Sequence, residues 1–179
     1  IAAAAAYLNK ILIHLEGGDV SGSIDESVRH AVTKLAHGHF VTNQQARERL
    51  IKLGERRDRV WNVGSLDVDF LSRLKFHQRL PNSMINDHGT GASLDLNQPY
   101  LVVMLNPVTT EADTAREQAD CLLTTIHNLG KQAVWVWPNL GAGSEAIAKR
   151  IREWQIENDE RYKIRFVRYL KPEDFANIL

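Results

Sequence analysis

Apolar residues fall along this chain in two alternating patterns. Short, nearly continuous apolar runs occur at Ile11-Leu12-Ile13, Phe40-Val41, Val60-Trp61-Asn62-Val63, Tyr100 to Leu105, Ala133 to Trp137 and Ile164 to Val167. Between them lie longer stretches whose apolar residues recur every three or four positions. Short runs read as buried strands and the 3.6-residue period reads as helices packed on one face. The pattern predicts strands near 11–14, 39–42, 60–63, 100–105, 133–137 and 164–167. It predicts helices over 2–9, 24–37, 44–53, 66–76, from Thr109 or Thr110 to 128, over 144–157, and from Pro172 onward. Strands alternating with helices predict an α/β chain with parallel sheets of the doubly wound, Rossmann-like kind.

Punctuation residues sharpen the boundaries. Ser23 followed by Glu26 fits a capping box. Asn43 and Ser144 are candidate caps, and Pro172 suits the first turn of a helix. Gly38, Gly54 and Gly130 fit helix ends. The stretch 77–98 is different: Pro81, Asn82, Asn86, Asp87, Gly89, Gly91, Asn97 and Gln98 break any period. It is expected to be a linker, with residues 1–76 in a first Rossmann-like domain and 99–179 in a second.

Composition removes several function classes. The 22 basic and 22 acidic residues cancel, so no global field favours nucleic acid or an anionic membrane. No apolar run is long enough to span a bilayer. The single Cys121 rules out an internal disulfide framework and fits a reducing, cytoplasmic compartment. Neither a membrane nor nucleic acid is expected as a partner.

The richest stretch runs from His14 to His30, HLEGGDVSGSIDESVRH. It reads as a strand end, a loop with Gly17, Gly18 and Gly22, and the first turns of a helix. Glycines let the loop turn sharply and let a ligand approach the backbone. Glu16, Asp25 and Arg29 are drawn to the carboxyl end of a strand, where open α/β sheets bind ligands. A structural reading of the same residues stands beside this one. A first-turn Asp favours the helix dipole, and Asp25 with Arg29 makes an i, i+4 pair that stabilises an exposed helix.

HLEGGDVSGSIDESVRHAVTKLAH resembles the hydrolysing UDP-N-acetylglucosamine 2-epimerases of sialic-acid-type sugar biosynthesis, whose pattern reads H-I-E-G-G-[DE]-x-[ST]-G-[ST]-I-D-[DE]-S-I-R-H-A-[IV]-T-K-L-A-H. Asn106-Pro107-Val108-Thr109-Thr110 resembles that family's H-P-V-T-T block. Trp137-Pro138-Asn139-Leu140-Gly141-Ala142-Gly143-Ser144 resembles its [FW]-P-N-x-D-[AS]-G-S block. The blocks occur in family order and span most of the chain. The resemblance implies a glycosyltransferase-B-like pair of Rossmann units, here truncated at both ends, because the family's terminal ligand loops have no counterpart.

It also implies the chemistry: elimination of UDP across C1 and C2 of the sugar, a glycal intermediate, and addition of water with inversion at C2. The sugar would be UDP-N-acetylglucosamine and the product N-acetylmannosamine. A related UDP-diacetamido sugar, a non-hydrolysing epimerase, and a non-catalytic homologue remain open as alternatives. Glu16 and Asp25 match the family's acidic positions and are the candidate catalytic pair. Arg29, Asn106, Asn139 and Ser144 are the candidate substrate-binding residues. No cofactor and no metal are expected, and a homo-oligomer, dimer or tetramer, is. Two departures stand out: Asn106 replaces the usual His and cannot shuttle a proton near neutrality, and Gly141 replaces the usual Asp.

The remaining clusters read as structural. His30, His37 and His39 look like a cluster, but His37 and His39 are expected to diverge across a helix end, and no Cys or acidic partner completes a metal set. Trp135, Trp137 and Trp154 are expected in the core, and Arg56, Arg57 and Arg59 in a solvated loop.

Overall fold

The computed structural model describes residues 1–76, 80–158 and 162–179. The chain forms two units, Ile1–Leu74 and Lys75–Leu179.

The first unit holds α1 (Ala2–Tyr7), β1 (Ile13–Leu15), α2 (Ile24–Leu35), β2 (Gly38–Val41), α3 (Gln44–Lys52), β3 (Val60–Asn62) and α4 (Leu66–Ser72). Its three strands are parallel in the order β1-β2-β3, with His14 opposite His39 and Phe40 opposite Trp61. Parallel neighbours need crossover connections, and α2 and α3 supply them. The core is small: Val41, Ala46, Leu50 and Val60. Asn43 caps α3 as predicted, its Oδ1 accepting the Ala46 N–H at 2.8 Å. Two boundaries move. The second helix stops at Leu35, and Gly38 opens β2 instead of closing the helix. A Cβ at Gly38 would come within 3.1 Å of both Ile13 and the Trp61 ring, so glycine lets these side chains pack closely against the strand. The helix from Leu66 ends at Ser72, short of residue 76.

The second unit contains α5 (Ser83–Asn86), β4 (Thr90–Gly91), β5 (Tyr100–Met104), α6 (Ala115–Leu129), β6 (Gln132–Val136), α7 (Ser144–Asn158), β7 (Ile164–Val167) and α8 (Pro172–Ile178). The sheet order is β4-β7-β6-β5; β5, β6 and β7 are parallel and β4 is antiparallel to β7. Both faces are covered. Ala133, Trp135, Ile164 and Phe166 pack with α6 and α7, through Leu123, Ile147, Ile151 and Trp154. Val134 and Val167 point the other way, onto Leu80, Ile85, Leu94, Leu96 and Ile178. This is strand alternation with both faces buried.

The expected linker 77–98 is therefore folded structure over the described residues 80–98; its residues 77–79 lie outside the described residues. Leu80, Ile85, Leu94 and Leu96 fill the second face of the sheet. The polar residues that suggested a linker instead satisfy irregular backbone. Asn86 exchanges two hydrogen bonds with the Leu94 backbone, at 2.8 and 2.9 Å. Asn82 accepts the Leu96 N–H at 2.8 Å, and Gln132 accepts the Asp95 N–H at 2.7 Å. Thr109 and Thr110 do not cap α6. A 3₁₀ turn, Thr109–Thr114, precedes it, and α6 begins at Ala115.

Candidate active site

In the first unit the carboxyl end of β1 feeds directly into the glycine loop. Strand alternation puts His14 on one face of β1 and the exposed Ile13 and Leu15 on the other, with Glu16 the first residue past the strand. Glu16 is held with φ +58°, a left-handed conformation rare for a residue with a side chain. Its N–H donates to Phe40 O at 2.8 Å, which fixes it to the sheet. Its side-chain Oε1 is buried and has no hydrogen-bond partner among the described residues. Strain and an unsatisfied buried acceptor on one residue are each costly, and together they mark positions kept for function.

The next two residues are buried glycines. Gly18 has φ +86°, and a Cβ there would lie 2.6 Å from Ala46 O. A Cβ on Gly17 would lie 2.7 Å from His14 Nδ1. The loop thus lies flat on α3 and on the His14 ring. Arg49 of α3 donates to Gly18 O, and Thr42 donates to the Asp19 carboxylate at 3.4 Å.

Helix α2 closes the loop from the other side. Ser23 caps it, accepting the Asp25 N–H at 3.3 Å. The expected reciprocal bond is displaced by two residues: Glu26 accepts the Ser21 N–H at 3.0 Å. Asp25 is exposed and accepts from the Ser23 hydroxyl at 3.1 Å. Arg29 is not paired with Asp25. Its Nη1 turns back to the loop, donating to Asp19 O at 2.9 Å and Ser21 Oγ at 3.2 Å. The i, i+4 pair of this helix is instead Glu26–His30, at 3.6 Å.

Beneath the loop lies a polar layer built on His14 and His39. Thr33 donates its hydroxyl to Arg29 O at 3.0 Å, so it accepts from His14 Nδ1–H at 3.1 Å. That bond joins β1 to α2 and fixes the tautomer. His39 is fully enclosed, and its Nε2 lies 3.3 Å from Glu55, which also pairs with Lys34 at 2.7 Å. Burial holds both imidazoles below their usual pKa; the His39 and Arg29 charges lower His14 further, while Glu55 partly opposes the shift at His39. His37 faces elsewhere, accepting the Leu12 N–H at 3.2 Å. Sequence reasoning passed over His14, Thr33, Asp19 and Arg49. The available signal for His14 was its position two residues before Glu16.

In the second unit the candidate residues lie past the carboxyl ends of β5 and β6. Asn106 Oδ1 accepts the Asn139 N–H at 3.0 Å, which brings these two residues together. Ser144 opens α7 but does not act as its cap. The Gly143 carbonyl accepts the Ile147 N–H at 3.2 Å, while the Ser144 hydroxyl donates to Gly141 O at 2.6 Å. Asn139 and Ser144 line a groove of about 330 Å³ with Trp137, Arg152 and Arg168. Trp135 and Trp154 are in the core as expected. Trp137 is only half-buried, and the Arg168 guanidinium sits 5.1 Å from its ring centroid.

The family model described as UDP-N-acetylglucosamine 2-epimerase matches residues 1–179. The chain is 32% identical over 154 residues to the UDP-N-acetylglucosamine 2-epimerase of Neisseria meningitidis serogroup B, covering 86% of this chain and 39% of that protein. It is 29% identical over 178 residues to the UDP-N,N'-diacetylbacillosamine 2-epimerase (hydrolyzing) of Legionella pneumophila, covering 99% and 45%. The crystal structure of UDP-GlcNAc 2-epimerase from Neisseria meningitidis bound to UDP-GlcNAc has the same fold, with TM-score 0.67 at 12% identity, over 99% of this chain and 47% of that one. The fold class is thus α/β with parallel sheets, glycosyltransferase-B-like, and the chain spans less than half the length of these relatives. By a match along its whole length and by shared fold, the chain belongs to the UDP-N-acetylglucosamine 2-epimerase family.

Proposed function

We propose that the protein carrying this chain is a hydrolysing 2-epimerase of UDP-N-acetylglucosamine. One carboxylate takes the C2 proton while the C1–O bond to UDP breaks, leaving a C1=C2 glycal. Water then adds its hydroxyl to C1, and a proton returns to C2 on the opposite face, giving N-acetylmannosamine and UDP. Glu16 and Asp25 serve as the acid–base pair. Arg29, with one guanidinium nitrogen tied to the loop, turns its remaining N–H groups to the diphosphate. Asn106, Asn139 and Ser144 bind the nucleotide side.

The observation that carries this reading is Glu16: left-handed backbone, a buried carboxylate oxygen without a partner, and two buried glycines beside it. A purely structural acid would be relieved of both costs by substitution. A site acid keeps them because the ligand supplies the missing partner. The Legionella relative, a hydrolysing UDP-N,N'-diacetylbacillosamine 2-epimerase by name, supports both the hydrolysing type and a second substrate reading, a UDP-diacetamido sugar.

The test uses the longest natural protein that carries this chain, incubated with UDP-N-acetylglucosamine and, separately, a UDP-diacetamido sugar. Free UDP and product stereochemistry are followed by NMR in D₂O, where turnover must place deuterium at C2. Glu16→Gln and Asp25→Asn should each cost about 10²–10⁴-fold in turnover. The exposed control Glu173→Gln should change little. Wild-type turnover by both acid variants would remove them from the mechanism. The 179 residues alone, being under half of the relatives' length, are expected to give no turnover.

A further inference from the structure

The ladder between β5 and β6 pairs Met104 with Val136 at its last register position. Beyond it the main chains have no strand partners left to share. On the β6 side the Trp137 N–H is taken by Val167 O at 2.9 Å, toward β7. Pro138 has no N–H. Asn139 therefore carries the next donor, and it is the Asn106 side chain, not backbone, that accepts it at 3.0 Å. A second contact closes the same two loops. Gly143, with φ +88°, lies so close to the segment after β5 that a Cβ would come within 3.0 Å of Ala115, 3.1 Å of Pro107 and 3.2 Å of Ala112.

We propose that Asn106 is a positioning residue: it latches the Trp137–Ser144 loop through Oδ1, which fixes Nδ2 as a donor that does not titrate, aimed away from the latch. The Asn139 N–H can only donate, so the carboxamide has one possible orientation. Its amino group has no protein partner among the described residues, and Asn106 is an exposed residue. An imidazole at this position could hold the latch only while neutral, through an unprotonated Nδ1, and would release it on protonation. Asn106 keeps latch and donor together at every pH near neutrality. The latch stands on the geometry alone; the donor's target, a diphosphate oxygen, rests on the nucleotide-sugar reading above.

Three variants of the longest natural protein separate the parts. Asn139 amide exchange is measured by NMR at pH 5.5 and 8, and UDP binding by titration calorimetry. Asn106→Ala should speed Asn139 exchange about fivefold, the size expected for one net intramolecular hydrogen bond. Asn106→Asp keeps an acceptor, so exchange should stay within about twofold of wild type, while UDP binding weakens about tenfold or more because a donor has become an anion. Asn106→His should protect Asn139 at pH 8 and lose that protection at pH 5.5, on either side of the ordinary imidazole pKa of about 6.5. A merely space-filling role would give no such pH profile. Unchanged exchange in Asn106→Ala, or pH-independent protection in Asn106→His, overturns the latch. Wild-type UDP affinity in Asn106→Asp overturns the donor. If the wild-type protein binds no UDP, the nucleotide-sugar reading fails with the donor, and exchange still decides the latch.

Discussion

Replacing Glu16 with glycine should make the first unit more stable. The residue sits at φ +58°, which costs a side-chain-bearing residue about 1–2 kcal/mol and glycine almost nothing. Its buried Oε1 lacks a partner, and leaving such an acceptor unsatisfied costs about 1–3 kcal/mol. The Glu16 N–H bond to Phe40 O is backbone and survives the change. Against these gains stands the extra freedom of glycine in the unfolded chain, about 0.4–1 kcal/mol. The net is a gain of about 2 kcal/mol, or about 30-fold in the local unfolding equilibrium. Amide exchange in β2, which pairs with both neighbours of this sheet, reports it. Val41 and Phe40 amides should exchange about 30-fold more slowly in Glu16→Gly. Glu16→Gln keeps the left-handed backbone and the buried polar head, so it should leave exchange within about twofold of wild type. Faster exchange in Glu16→Gly would mean that the carboxylate is held by contacts that stabilise the fold, and the strained-site reasoning would fail.

Other consequences concern pH and packing. Burial lowers the pKa of His14 and His39, so the folded state resists protons that the unfolded state accepts below about 6.5. Stability of the first unit is therefore full above that pH and falls as pH drops through it toward the lowered folded values. Urea midpoints from pH 8 to 5.5, read on Trp61, should decline, and a flat or rising profile would refute this. In the second unit, the buried Arg150 bonds Asp120 at 2.6 Å and Glu157 at 3.0 Å. Both carboxylates are half exposed and can be resolvated, so Arg150→Met should cost less than half as much as Arg150→Ala, itself about 2 kcal/mol in urea unfolding. Gly89 and Gly64 both have positive φ, but a Cβ on Gly89 would fall 1.8 Å from Phe166 O whereas Gly64 faces open space. Gly64→Ala should cost about 1 kcal/mol and Gly89→Ala at least about 3 kcal/mol with loss of the β4–β7 pairing; equal costs by denaturation would show that backbone strain alone sets the penalty.

Much of the architecture was written in local pattern. The run from Ala133 to Val136 is a central strand because its consecutive apolar residues can be buried on both faces of a parallel sheet, Ala133 and Trp135 on one and Val134 on the other. Asn43 and Gly130 marked helix ends because capping is chemistry between near neighbours. The order strand, glycine loop, helix placed Glu16, Asp25 and Arg29 at one strand end for the same reason. What the sequence could not determine depends on distant partners. The polar stretch after Leu80 reads as a linker until Asn82, Asn86 and Gln132 are seen bonding backbone, with Leu94 and Leu96 closing a sheet face. Asp25 and Arg29 have the right spacing to pair, yet Arg29 finds better acceptors in a loop ten residues away. The strain at Glu16, the tautomer of His14 and the Asn106–Asn139 latch exist only once segments far apart in sequence are packed together. Spacing along a chain fixes which groups are near in one element. Only the tertiary structure fixes which buried donors and acceptors go unmet.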